Sequence, residues 1–139
     1  MGIEATAAPT QNAPSPAQSV EVPDKRLQTN AHSSSPDISA DGRYVVFSSA
    51  ADNLVSGDTN QAADIFIYDR ETRSTELISI TEDRAPANDT SGEPGISADG
   101  RWVVFSSIAT NLVPGDKNGL LDIFLHDRQT RRTILVSEA

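Results

Sequence analysis

ISADGRYVVFSS at Ile38–Ser49 returns as ISADGRWVVFSS at Ile96–Ser107, an offset of 58 residues with one substitution in twelve. The offset runs on without a gap: NLVSGDTN becomes NLVPGDKN, DIFIYDRET becomes DIFLHDRQT, and TELIS becomes TILVS. Between Ser33 and Ile80, 30 of the 48 positions match their counterparts 58 residues on. Such self-similarity marks a repeat architecture, each copy one supersecondary unit that buries its apolar faces against a neighbour.

Each copy reads as four short strands. In the first copy these are Pro36–Ser39, Tyr44–Ser48, Asp64–Tyr68 and Thr75–Ile80. Asp41-Gly42 between the first two is a tight-hairpin signal, because glycine accepts positive φ at little steric cost. Asp69 to Arg73 forms a second tight turn. The middle strands, YVVF and IFIY, then WVVF and IFLH, are apolar without alternation, as expected of strands covered on both faces. Small antiparallel sheets of this kind stack face to face, and radial stacking of four-stranded blades satisfies all of them. A β-sandwich is the competing arrangement, but it requires alternation in every strand.

The expected fold is all-β, two four-stranded antiparallel propeller blades. Residues 33–90 form the first and 91–139 the second. Residues 1–32, rich in Ala, Pro, Gln and Ser, read as a linker, with a possible edge strand at Val20–Val22. Two blades do not close a ring, which typically takes four to eight. Either three or four copies assemble into one, or the blades belong to a longer protein.

The motif PDISADGRYVVFSS followed by DIFIYDRET resembles the TolB-type, WD40-like β-propeller repeat over residues 33–139. The resemblance implies the fold and an envelope, periplasmic or extracellular setting. It implies little about activity, since similar blades serve binding proteins and peptidase propeller domains alike. The 58-residue spacing departs from the 40–45 residues usual for such blades.

The extra length lies in two connections, Ser49 to Ala63 with its counterpart 107–121, and the inter-blade link 81–93. In a four-stranded blade these emerge at the same edge, and loops beyond the usual length are where function concentrates. This rim is the expected binding face for a protein or polysaccharide, with Asn53, Arg84, Asn88 and Asn111 as candidate ligand-binding residues. Asp58, Asn60 and Asp64, repeated as Asp116, Asn118 and Asp122, space oxygen ligands like the first half of a calcium loop. Ala62 and Leu120 occupy the fifth position, no glycine stands sixth, and Asp69 or Asp127 at the twelfth lies too far along the strand. The alternative is Asx-type turns, with Asp64 tying loop to strand.

Tyr44 and Trp102 are expected between blades, and Arg43 and Arg101 in solvent. His32 and His126 do not correspond across the repeat, which argues against a repeated histidine metal site. The chain carries 20 acidic against 11 basic residues, a formal charge of −9, and no cysteine. The acidic balance disfavours nucleic acid and membrane partners, and the absence of cysteine excludes disulfides and thiolate sites. No apolar run approaches a bilayer span, and the first residues lack a leader pattern. No nucleophile elbow, phosphate loop or HExxH motif occurs, so a non-catalytic module is the leading expectation. A gating propeller of a larger peptidase and a multivalent lectin-like oligomer are the alternatives.

Overall fold

The computed structural model describes residues 28–137. They form two sheets, each four-stranded, antiparallel and in sequence order. The first comprises β1 (Ser33–Ile38), β2 (Tyr44–Ser49), β3 (Asp64–Asp69) and β4 (Ser74–Leu77). The second comprises β5 (Ser91–Ile96), β6 (Trp102–Ser107), β7 (Asp122–Asp127) and β8 (Arg132–Leu135). No helix occurs among the described residues. The possible edge strand at 20–22 lies outside them.

The registers are copies. Tyr44 opposes Asp69 and Ser49 opposes Asp64 in the first sheet; Trp102 opposes Asp127 and Ser107 opposes Asp122 in the second. The Asp-Gly turns behave as their residues require. Gly42 (φ 74°) donates its N–H to Ser39 O at 2.9 Å, and Gly100 (φ 78°) does the same to Ser97 O at 3.0 Å.

β1 begins at Ser33, three residues before the sequence-based expectation. A bulge between Ser34 and Asp37 absorbs an extra residue, with Ser35 at φ 53°. Pro36, which has no N–H to give, sits within the bulge and leaves the flanking ladder intact. β4 in turn ends at Leu77 rather than Ile80. Beyond it Ile78 N still donates to Ile65 O at 2.7 Å, and then the Ser79 hydroxyl replaces a main-chain carbonyl as acceptor for Ile65 N at 3.1 Å.

The core lies between the two sheets. Val46, Ile65 and Ile67 from the first meet Val103, Phe105 and Phe124 from the second, with Ile78, Ala87, Ala109 and Leu112 closing the cluster. Each of the larger side chains contributes roughly 1.5–3 kcal/mol by leaving water. Polar ties complete the joint: Ala40 N donates to Ala98 O at 3.0 Å, and Ile96 N to Asp37 Oδ2 at 3.0 Å. Tyr44 packs against this cluster, and the guanidinium groups of Arg43 and Arg128 lie over its ring at 4.8 and 4.4 Å from the centroid.

The stack is open at both ends. Val46 and Ile65 are 0% exposed, whereas their counterparts Val104 and Ile123 on the second sheet are 39% and 38% exposed. Every residue of β1 is exposed, although the equivalent β5 is partly buried.

Candidate functional site: the long-loop rim

β2 ends, β3 begins and β4 ends at one edge of the blade, so the long connections must gather there. Ser91 N donates to Ala63 O at 2.7 Å, and Asn60 Nδ2 to Ala87 O at 2.7 Å, joining the first blade's long loop to the inter-blade link. The link is tied in turn to the second blade's loop through asparagines. Asn88 N donates to Asn111 Oδ1 at 2.9 Å, Thr110 N to Asn88 Oδ1 at 2.9 Å, and Asn111 Nδ2 to Pro86 O at 3.1 Å. The same clasp stands 58 residues earlier. Asn30 N donates to Asn53 Oδ1 at 3.2 Å, Asp52 N to Asn30 Oδ1 at 3.2 Å, and Asn53 Nδ2 to Gln28 O at 2.9 Å. Asn53, Asn88 and Asn111 thus brace the rim.

Arg84, the fourth candidate ligand residue, stands exposed at φ 72° in the Thr81–Ala85 turn. Its side chain makes no hydrogen bond to another described residue. Beside this turn a cleft of about 520 Å³ opens between the link and the second long loop, with Glu82, Asp83, Thr110, Asn111 and Lys117 among its walls. Both carboxylates and an ammonium therefore border the same opening.

The residues with calcium-loop spacing lie deeper. Asn60 and Asn118 form Asx turns, their Oδ1 atoms accepting from Ala62 N at 2.9 Å and Leu120 N at 2.8 Å. Asp64 opens β3, and its Oδ1 accepts from Ser79 Oγ at 2.6 Å; Asp122 repeats the bond with Ser137 Oγ at 2.7 Å. The remaining oxygens are not matched. Both oxygens of Asp58, Oδ2 of Asp64, Oδ1 of Asp116 and Oδ2 of Asp122 are buried without a hydrogen-bond partner. These four side chains belong to residues that are 0–7% exposed.

Burial pushes the Asp64 carboxyl up to about 6, with Ser79 and Asn60 opposing the rise and the Asp58 charge adding to it. Burial raises the Asp58 carboxyl too. No group of three His, Cys, Asp or Glu side chains gathers among the described residues. Asp69 and Asp127 belong to the opposite edge. They receive two hydrogen bonds each from Arg43 and Arg101, at 2.8 to 2.9 Å.

Those arginines are thus paired rather than solvated, and each guanidinium also covers the adjacent Tyr44 or Trp102 ring. Sequence reasoning missed this pairing, although both partners recur at the common offset, the arginine just before one strand and the aspartate at the end of the strand facing it. The hydroxyls of Ser79 and Ser137 escaped it as well. His126 is buried, and desolvation lowers its pKa; Nδ1 meets Thr133 Oγ1 at 2.9 Å.

No protein-family model matches the sequence, and no curated protein matches it. Solved structures do. TolB from Acinetobacter baumannii aligns over 81% of this chain at 21% identity with a TM-score of 0.52. An acylaminoacyl peptidase from Pyrococcus horikoshii aligns over 78% at 24% identity and a TM-score of 0.49. The chain spans 23% of the first protein's length and 14% of the second's. The fold is that of a TolB-like β-propeller, represented by two blades and open.

Proposed function

We propose that this chain is a non-catalytic binding or scaffold module of the cell envelope or the extracellular space. Its long-loop rim (49–63, 81–93 and 107–121) receives a protein or polysaccharide. One observation supports the reading: consecutive loops are hydrogen-bonded into a continuous rim beside a cleft that carries Glu82, Asp83 and Lys117. A rim braced in this way loses little entropy when a ligand docks, which is how many modest polar contacts add up to useful affinity. The acidic surface favours basic or neutral partners over phosphate backbones.

Further blades complete the stack in this reading, because the exposed β1 face and the exposed Val104–Ile123 face are the two halves of the joint already formed within the chain. Three or four copies of the chain, or blades elsewhere in a longer protein, supply them equally well.

Ligand capture from envelope extracts and a glycan array, run with wild type and Lys117→Glu, test the proposal. We expect a specific ligand whose capture the variant weakens at least tenfold. A ligand indifferent to Lys117→Glu and to Arg84→Ala would remove the rim as its site. A serine-hydrolase domain encoded in continuity with the blades would make the rim a gate to that enzyme.

A further inference from the structure

Carboxylates are rarely placed out of water without a partner, because a buried charge is costly unless it is paired or coordinated. Here the same arrangement occurs twice. Asp58 and Asp64 in the first blade, and Asp116 and Asp122 in the second, are at least nine-tenths buried with one or more oxygens unpartnered. The ion pairs of the described residues involve Asp69, Glu71, Glu76 and Asp127, and none reaches these four aspartates.

Turn formation does not account for them. Asn60 and Asn118 already supply the Asx turns, and an asparagine in place of Asp58 would spare the fold a buried charge. The surrounding loop differs between copies at Thr59 and Lys117, Gln61 and Gly119, Ala62 and Leu120, and Ala63 and Leu121. The two aspartates and the asparagine recur unchanged.

We propose that the Asp58–Asp64 and Asp116–Asp122 pairs each hold a hard divalent cation, with the unpartnered oxygens as its protein ligands. Oxygen-only donors suit calcium, magnesium or manganese, and an irregular loop with few carboxylates suits calcium better than the strict octahedron magnesium demands. Asn60 and Asn118 shape the loop, while Ser79 and Ser137 orient the strand-borne carboxylates. The ion would fasten each long loop to the start of β3 or β7. This inference rests on the loop carboxylates alone and is independent of what the rim binds.

The test is calorimetric titration of the chelator-treated chain with calcium chloride, alongside thermal melts in calcium, magnesium, manganese or EDTA. We expect two calcium ions per chain and a rise in Tm of about 5 °C or more at a hundredfold excess over Kd. Asp58→Asn should reduce the stoichiometry to one ion, and Asp58→Asn with Asp116→Asn should abolish binding while the chain stays folded in EDTA. Should the double variant not fold, the wild-type stoichiometry and the single variant decide. Absence of binding heat and of any Tm shift in wild type, or a double variant that responds like wild type, would overturn the proposal.

Discussion

Gly100 and Gly42 occupy the same place in two copies of one turn, yet their surroundings differ. A Cβ on Gly100 would stand 2.3 Å from the Tyr44 ring, whereas one on Gly42 would meet only the tip of Arg70 at 3.6 Å. Both need positive φ, which costs a non-glycine residue about 1–2 kcal/mol. Gly42→Ala should therefore destabilise by that amount, and Gly100→Ala by about 1–3 kcal/mol more through overpacking at the blade joint. Urea denaturation of the two variants checks the ordering. A different property belongs to Asp127, whose carboxyl the Arg101 guanidinium holds well below the usual range, helped by Thr130 and the Gln129 N–H. A carboxylate with a lowered folded value contributes stability above its unfolded pKa and loses it as pH falls toward the folded one. The stability gap between wild type and Asp127→Asn should thus be full near neutrality. It should shrink steadily below the ordinary aspartate value of 3.8 in melts recorded across acid pH.

The strands were readable from apolar runs and Asp-Gly turns because those signals are local. What escaped was set by groups far apart in the chain. The start of β1 depends on how a bulge carries Pro36 past its partner, and the end of β4 on a serine hydroxyl standing in for the backbone. The rim was readable as a place, since connection lengths fix the edge at which loops emerge. Its asparagines were readable as residues of interest but not as mutual braces, because their partners lie 22 to 25 residues away. Bracing makes a definite claim. Asn111→Ala removes the acceptor for Asn88 N and the donor to Pro86 O, and should cost about 1–2 kcal/mol. Amide exchange in the 81–93 link should quicken far more than exchange in β6 or β7. Uniform quickening throughout both sheets would show that the clasp is only one part of a single cooperative unit.

The open face of the second sheet can be probed against the closed joint by one change made at equivalent positions. Ile65→Ala empties the joint and should cost about 2–5 kcal/mol. Ile123→Ala lies on the uncovered face and should cost well under 1 kcal/mol in the isolated chain. Equal costs in solution, measured by denaturation at several protein concentrations, would reveal a third blade already seated on Ile123. The duplicated registers carry a further consequence for folding. Two segments matching at 30 of 48 positions present nearly interchangeable strands, so β2 finds a suitable mate in β7 as well as in β3. Near-identical tandem units are prone to misassembly and to exchange of strands between molecules. Refolding yield should accordingly fall as protein concentration rises. The differences in the central strands, Tyr44 against Trp102, Ile67 against Leu125 and Tyr68 against His126, then act as the labels by which each half recognises itself.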